Sequence, residues 1–469
     1  MNTNYRLNEM IPARYAIHDF FLLLMLVHGI IFSLDAQAFN SSLTPPPISL
    51  LKESVVPLNS LDDSKAIIKL IDQIPYVLIG DSTHGSYEFY QQRINLSKKL
   101  IQEKNFKLIV FEGDLPNVYR LNQYVQSRLP VTAMQALNVT NPQGAWLWGN
   151  VTMLNFIQWL KKYNDQLPEG EQKVSLHGLD IYSFERSKRI VINYLRLFSP
   201  QAAQQAFQRY QCFNRFGNDL HRYGKMLAHM PMLSCELDVV EQFQDFSLCR
   251  LPCPEHYSFI DRDAFFYTQE NARVIKNTEK SFRVQYKTGK DSDSWNLRDI
   301  HMMESLLAVS EHLDHPKTII WAHNSHVGDA RATEMREKEQ LNLGQLMRQK
   351  FGQQMFSLGM LTYNGVVAAA DDWHSQAEIK TIRNAHPDSN EALFHSLGIR
   401  HFMLYLHGSE VLQNYLNKTR LQRHIGVVYR PQDEMASHYS YTHLADQFDA
   451  VIFIDSTTPV TSLKNNTGF

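Results

Sequence analysis

Histidine and carboxylate side chains follow four short apolar runs of the sequence, at the point where each run ends. These side chains are Asp81, His84, Glu112, Asp114, Asp180, His323 and His326. A histidine held by a carboxylate can act as a general base that deprotonates water or a hydroxyl group. The same residue types can also bind a divalent metal ion that activates water. The residues alone leave both chemistries open.

Each of these residues also has a purely structural interpretation. Asp81 or Ser82 could cap the helix that follows, and a single histidine is common in loops. The turn from His323 to His326 places two imidazoles close together, which favours a functional site. The sequence carries neither a Gly-x-Ser-x-Gly elbow nor a phosphate-binding or dinucleotide-binding glycine motif, so a serine nucleophile, ATP and nicotinamide cofactors have no support.

The apolar runs that position these side chains are predicted to be strands of an α/β fold. Helical patterns such as 86–103 separate them, which predicts parallel neighbours, and functional groups of such sheets collect beyond the carboxyl ends of the strands. We predict a mostly parallel central sheet flanked by helices, with a helical insertion at about 199–310. The predicted strands are 76–80, 107–111, 174–178, 317–321, 355–359, 366–370, 401–405 and 450–454.

The composition is that of a soluble globular protein. The 469 residues include 46 Lys and Arg against 48 Asp and Glu, and 44% are hydrophobic. This excludes a disordered chain and a polytopic membrane protein. The formal net charge of -2 argues against a general nucleic-acid binder, which needs a basic excess to neutralise phosphates. We assign residues 61–469 to the α/β domain.

The N-terminal segment has the pattern of a signal peptide. Residues 20–34 form an uncharged apolar run, shorter than the roughly 20 residues of a transmembrane helix. The following Ala-Gln-Ala, residues 36–38, suits signal peptidase. We predict a signal peptide over 1–38, cleavage after Ala38, export to the periplasm or beyond, and no stable membrane association afterwards; an uncleaved anchor is the alternative. A proline-rich and serine-rich stretch predicts a linker over 39–60.

All four cysteines lie in one segment of the sequence. They are Cys212, Cys235, Cys249 and Cys253. In an exported protein an even count in one segment predicts up to two disulfides, with three possible pairings. Reduced core thiols are the alternative, and a metal site is weaker because the cysteines do not form two closely spaced ligand pairs.

Several motifs, taken in order, resemble those of the erythromycin esterase family. They include 79–89 (IGDSTHGSYEF), 111–114 (FEGD), 177–183 (HGLDIYS), 293–299 (DSWNLRD) and 321–327 (WAHNSHV). The resemblance extends over roughly 75–455. It implies hydrolysis of a macrolactone-type ester of a small molecule by activated water, without a covalent serine intermediate and without a required cofactor.

The resemblance also assigns roles to individual residues. Those implied in catalysis are His84, Asp81, Glu112, Arg93, His323 and His326. His84, held by Asp81 or Glu112, would deprotonate water. Arg93 would orient a carboxylate or steady negative charge, and one of the later histidines would protonate the leaving group. Substrate contacts are predicted for Asp180, Asn324, Trp295 and His438. If a divalent metal takes part, its predicted ligands are His84, Asp81, Glu112 and His323.

One position departs from the family pattern. Most members have glutamate where this chain has Asp81, whose side chain is one methylene shorter, and misplacement of a reacting group lowers the rate steeply. Three functions therefore stay open. They are a water-activating esterase that confers macrolide resistance, a metal-dependent hydrolase of a non-macrolide substrate, and a binding protein with weakened catalysis. The oligomeric state is not predicted.

Overall fold

The computed structural model describes residues 47–137, 145–373 and 375–463, which belong to one compact unit. The predicted signal peptide over 1–38 lies outside the described residues. None of the helices in the described part of the chain combines the length and apolar character that a membrane span requires.

The described residues contain eleven strands. They are β1 (Val56–Pro57), β2 (Tyr76–Ile79), β3 (Leu108–Asp114), β4 (Ser175–Asp180), β5 (Thr318–Trp321), β6 (Met355–Ala369), β7 (Glu378–Ile382), β8 (His401–Tyr405), β9 (Arg420–Arg423), β10 (Tyr439–Thr442) and β11 (Ala450–Thr457). Nine of them form one sheet in the order β1-β8-β11-β6-β2-β5-β3-β4, with β7 paired to β6. Every pair from β11 to β4 is parallel, whereas β1, β7 and β8 pair antiparallel and β9 pairs with β10 apart from the sheet. The predicted α/β class with a mostly parallel sheet is confirmed.

Helices connect the strands and cover both faces of the sheet. They are α1 (Pro47–Ser54), α2 (Lys65–Ile71), α3 (Tyr87–Lys104), α4 (Leu115–Val125), α5 (Ala133–Leu137), α6 (Ala145–Trp148), α7 (Val151–Asp165), α8 (Phe184–Phe198), α9 (Pro200–Tyr210), α10 (Leu220–His229), α11 (Glu236–Ser247), α12 (Arg262–Thr288), α13 (Asp291–His312), α14 (Asn324–Val327), α15 (Leu343–Phe351), α16 (Asn390–His395), α17 (Glu410–Leu416), α18 (Glu434–Ser437) and α19 (Leu444–Gln447). Successive strand side chains point to opposite faces, so Val77 and Ile79 join one hydrophobic core and Leu78 joins the other.

The segment predicted as a helical insertion, 199–310, holds helices and no strand within the described chain. Helices α8 to α12 enclose a third hydrophobic core of their own. The last helix of the segment, α13, packs against β4 and so returns the chain to the sheet. This contact brings side chains of the helical segment to the edge where β4 ends.

Two sequence predictions are wrong. The linker predicted over 39–60 contains α1 and β1 from residue 47 onward, because Leu51 is fully buried in the core and Val56 pairs with Met403. The runs 355–359 and 366–370 are one strand, β6, rather than two. Gly365 allows the strand to continue there: its φ is 136°, and a Cβ atom would lie 2.2 Å from the carbonyl oxygen of Thr457 in β11.

All four cysteines form disulfides. Of the three possible pairings, the structure has Cys212–Cys235 and Cys249–Cys253. Cys212, Cys235 and Cys253 are buried in the third core. Cys212–Cys235 joins the segment after α9 to the start of α11, whereas Cys249–Cys253 closes a short loop between α11 and α12.

Replacing both Cys212 and Cys235 by Ala should lower the free energy of unfolding by roughly 3 kcal/mol, because it frees a loop whose ends are 23 residues apart. Replacing Cys249 and Cys253, which are 4 residues apart, should cost less, roughly 2 kcal/mol. Urea denaturation measures both losses. Peptide mapping under non-reducing conditions identifies the disulfides, and any other pairing of the four cysteines contradicts this assignment.

Candidate active site

The carboxyl ends of four adjacent parallel strands form the site. Ile79 of β2 and Phe111 of β3 both pair with Trp321 of β5. Phe111 also pairs with Gly178 of β4. The four strands therefore end at the same edge of the sheet. That edge receives the side chains Asp81, His84, Glu112, Asp180, His323 and His326, each of which lies in the last three residues of one of these strands or in the segment that follows it.

The first part of the site is a buried ion pair that holds a histidine. Asp81 Oδ2 lies 2.6 Å from Arg93 Nη1, and both side chains are 1% exposed. Asp81 Oδ1 lies 3.3 Å from His84 Nδ1. Burial raises the pKa of Asp81, but attraction to Arg93, and then to His84, outweighs it and lowers this pKa below its usual value. An ionised Asp81 thus faces Nδ1 of His84 and leaves Nε2 as the nitrogen that can accept a proton.

Arg93 has no exposed surface with which to reach a substrate. Its Nε and Nη2 groups donate to the carbonyl oxygens of Ile79 (3.2 Å) and Ala322 (2.6 Å). The arginine therefore joins the ends of β2 and β5 and orients Asp81. Of its two predicted roles, the geometry supports orientation of a carboxylate and not a contact with developing charge on the substrate.

Asn324 packs between the end of β2 and the interior of β6. Its backbone N–H donates to the carbonyl of Asp81 (2.7 Å), and its side-chain amide donates to the carbonyl of Met360 (2.9 Å). A Cβ atom at Gly80 would lie 2.1 Å from Asn324 Oδ1, so only glycine permits this approach. Asn324 is fully buried, so its predicted contact with substrate is not available in this arrangement. This packing fixes the backbone of Asp81, whose carboxylate reaches Arg93 and His84.

His323 is a neutral imidazole with one free donor. Its Nδ1 accepts from the backbone N–H of Ser325 (3.3 Å), and an N–H group can only donate, so the proton of the neutral ring is on Nε2. Nε2 is buried and has no partner within the described residues. Burial, followed by the nearby His84, lowers the pKa of His323 to about 3. Its ring lies 4.9 Å from the ring of His84, centroid to centroid.

Glu112 supports His323 rather than His84. Its Oε2 accepts from the backbone N–H of His323 (2.8 Å), and its Oε1 accepts from Arg298 Nη2 (2.8 Å). Burial alone would raise the pKa of Glu112, but His326 and Arg298 hold it well below its usual range. Of the two carboxylates predicted to hold His84, the structure places Asp81 beside it.

Arg298, on α13, connects the carboxylates in the second part of the site. It binds Asp180 through two nitrogens, Nε to Oδ1 (2.9 Å) and Nη2 to Oδ2 (2.8 Å), in addition to Glu112. Both oxygens of Asp180 are therefore occupied, and its predicted contact with substrate is not available in this arrangement. Tyr182, which is 53% exposed, lies over the guanidinium, 5.2 Å from its ring centroid to the central carbon.

His326 is enclosed by charged and aromatic neighbours. Its Nδ1 lies 2.9 Å from Asp299 Oδ1, and its Nε2 lies 3.3 Å from Glu112 Oε1 and 2.9 Å from Arg298 Nη1. Trp295 stacks on the ring at 4.7 Å and donates its own N–H to the carbonyl of Leu341 (2.8 Å). Burial and the positive charge of Arg298 lower the pKa of His326, but Asp299 and Glu112 outweigh both and raise the value to about 9. The protonated ring donates to these two carboxylates, and its contact with Arg298 Nη1 is then one between two donors. Both ring nitrogens are thus used inside the protein.

His438 lies behind the site instead of in it. Its Nε2 accepts from the backbone N–H of Arg430 (3.2 Å), so its Nδ1–H donates to the carbonyl of His424 (3.2 Å). The ring of His424, in contrast, lies 5.8 Å from the ring of His323. The predicted contact of His438 with substrate is not available in this arrangement, because both of its nitrogens bind backbone.

Sequence reasoning missed Arg298, Asp299 and His424. The first two end the motif DSWNLRD, so a signal was present, but they sit on a helix far along the chain from the strand ends. His424 follows β9, which is outside the main sheet, and has no such signal.

The predicted metal ligands do not converge in the described part of the chain. In that part, the ligand atoms of Cys249, Cys253 and Glu255 lie within 4.8 Å of one another, as a metal site requires. The two cysteines, however, form a disulfide. His84, Asp81, Glu112 and His323 would have to move to bind one ion, since Asp81 is committed to Arg93 and Glu112 to Arg298.

Comparisons with known proteins agree with this architecture. The family model for erythromycin esterase matches residues 101–457. "Putative hydrolase YbfO" of Bacillus subtilis (strain 168) is 20% identical, over 86% of this chain and 88% of that protein. "Erythromycin esterase type II" of Escherichia coli is 21% identical, over 67% and 75%. The crystal structure of a succinoglycan biosynthesis protein aligns with a TM-score of 0.71 at 20% identity, over 88% and 97%, and supports the fold.

Replacing Arg93 by Ala should lower the free energy of unfolding by about 3–5 kcal/mol, because it leaves the Asp81 carboxylate buried without its partner. Urea denaturation at pH 7 measures the loss. Lys290→Ala is the matched control, since it removes an ion pair whose side chains are 60% and 75% exposed and should change stability little. If the two substitutions change the free energy of unfolding by the same small amount, the buried ion pair does not stabilise the protein.

The free energy of unfolding should fall as the pH rises from about 6.5 to about 9. His326 binds its proton more tightly in the folded protein than in the unfolded chain, so its contribution is complete below pH 6.5 and is lost through pH 9. In His326→Gln this decline should disappear. Denaturation curves collected across the pH window test it, and a decline of the same size in both proteins counts against the raised pKa.

Proposed function

The chain belongs to the erythromycin esterase family, and from this membership and the geometry of the site we propose that it hydrolyses an ester bond with water activated by His84. The observation that carries the proposal is the position of His84. It has the ionised Asp81 on one side and, 4.9 Å from its ring, the neutral ring of His323 with an unused Nε2–H on the other. A base and a hydrogen-bond donor side by side suit attack of water on a carbonyl group.

In the first step His84 Nε2 takes a proton from water while the oxygen attacks the ester carbon. The resulting imidazolium is stabilised by Asp81 at Nδ1, and general base catalysis of this kind contributes roughly 10²–10⁴-fold. In the second step the tetrahedral intermediate expels the alcohol oxygen, and the proton returns from His84 to that oxygen. The products are the carboxylate, with release of its proton, and the alcohol, and no covalent bond to the protein forms.

His323 supplies the donor for the developing oxyanion. Its low pKa keeps it neutral, and a neutral imidazole N–H can polarise a carbonyl and stabilise the oxyanion without exchanging its proton. This replaces the prediction that one of the two later histidines, His323 or His326, is the acid for the leaving group. Arg93, Glu112 and Arg298 act as positioning residues, since they hold Asp81 and the backbone of His323 and do not reach the reacting atoms.

For the substrate we propose a macrolactone-type ester of a small molecule, with macrolide resistance as the consequence. The name of the Escherichia coli relative supports this choice. We further propose that no metal ion is required and that the protein acts after export. The two disulfides support export, because disulfides persist in oxidising compartments.

His84→Ala should lower ester hydrolysis by at least about 10²-fold, because it removes the base. The assay follows erythromycin A opening by mass spectrometry and 4-nitrophenyl acetate cleavage by absorbance, with and without EDTA. His229→Ala, at an exposed position on α10, is the matched control, and melting curves verify that both variants fold. Full activity of His84→Ala would falsify the mechanism. Activity lost with EDTA and restored by one divalent ion would favour the metal-dependent hydrolase.

A further inference from the structure

His424 carries a buried nitrogen without a partner, close to the proposed site. Its Nδ1 has no hydrogen bond within the described residues and no contact with solvent. Its Nε2 lies 3.0 Å from the hydroxyl oxygen of Ser440. A buried polar atom left without a partner is costly, and in native proteins it usually marks a place where a ligand or water binds.

The backbone places His424 beside the loop that carries the base. The N–H of Ile425 donates to the carbonyl of Ser82 (2.7 Å), and the N–H of His84 donates to the carbonyl of Ile425 (3.1 Å). The N–H of His424 itself donates to the carbonyl of His438 (2.7 Å). Residues 424–425 are thus bound on both sides, and the position of the ring relative to His84 is fixed.

Three imidazole rings form a row at this point. Ring centroids are 4.9 Å apart between His84 and His323 and 5.8 Å apart between His323 and His424. The two unpartnered nitrogens, Nε2 of His323 and Nδ1 of His424, belong to adjacent rings. Burial, together with His438, lowers the pKa of His424, so both rings are neutral at pH 7. His424 as a whole is more exposed than His84 or His323, although its Nδ1 is buried, so the side of the ring that carries Nδ1 faces the interior.

We propose that His424 is a further catalytic residue, whose Nδ1–H donates to an oxygen of the tetrahedral intermediate beside Nε2–H of His323. With the Ser440 hydroxyl donating to Nε2, the single proton of the neutral ring is on Nδ1, where the donor is needed. The proposal rests on the proposed ester hydrolysis for the identity of the reaction. It adds a second neutral donor to the Nε2–H of His323. The sequence did not predict His424 as a site residue.

Two amide substitutions separate this role from a structural one. The amide nitrogen of asparagine takes approximately the place of Nδ1, whereas that of glutamine takes approximately the place of Nε2. His424→Gln keeps the contact with Ser440 and loses the donor, so its kcat should fall about 10²-fold with little change in KM. His424→Asn should retain most of the activity. If His424 only anchors Ser440, the order of the two variants is reversed.

Ser440→Ala removes the contact that holds the proton of His424 on Nδ1, so its kcat should fall, but less than that of His424→Gln. His229→Ala, at an exposed position on α10, is the control that should match wild type in kcat and KM. Methyl phenylphosphonate, a stable tetrahedral anion, gives a second readout that does not depend on turnover. Its affinity, measured by calorimetry, should fall at least tenfold in His424→Gln and much less in His424→Asn. Melting curves show whether each variant is folded.

The outcomes distinguish this inference from the proposed function. A wild-type protein that hydrolyses neither ester, but binds the phosphonate with the predicted difference between variants, removes the proposed function and leaves His424 as a donor to a bound tetrahedral anion. Equal kcat and equal phosphonate affinity in wild type and His424→Gln overturn the assignment. An active His424→Gln variant together with an inactive His424→Asn variant also overturns the assignment.

Discussion

The ion pair between Arg93 and Asp81, closed off from water, is the interaction on which the rest of the site depends. Burial of a carboxylate is costly unless a partner compensates for it, and here the partner also binds the carbonyls at the ends of β2 and β5. The arginine therefore joins two neighbouring strands at the edge where the site forms. Asp81 stays ionised at that edge, and an ionised Asp81 is what gives His84 a fixed orientation and a free Nε2.

The two histidines of one short turn have opposite electrostatic surroundings. His323 is buried next to other imidazoles, and its pKa is lowered to about 3. His326 contacts Asp299 and Glu112, and its pKa is raised to about 9. Environments that push the pKa values of neighbouring groups apart are how a protein assigns them different roles. One histidine is thereby a neutral donor towards the site, and the other is a member of the supporting network.

The helical segment contributes to the site through a single helix. Arg298, Asp299 and Trp295 all lie on α13, which packs against α12 and β4. Helix α12 in turn lines the third core, in which the Cys212–Cys235 disulfide joins the segment after α9 to α11. Arg298, which binds both Glu112 and Asp180, is thus positioned from outside the sheet that carries those carboxylates.

The sequence by itself determined most strands of the main sheet, the parallel α/β class and the residues that follow those strands, because hydrophobic periodicity and strand-end position are local properties of the chain. It also indicated Asp81, His84, Glu112 and His323 as members of one site. Only the tertiary structure decided that Asp81 and not Glu112 holds His84, that Asn324 and His438 bind backbone, and that Arg298 and His424 belong to the site. Those assignments depend on contacts between distant segments and on burial, and neither has a signature in local spacing.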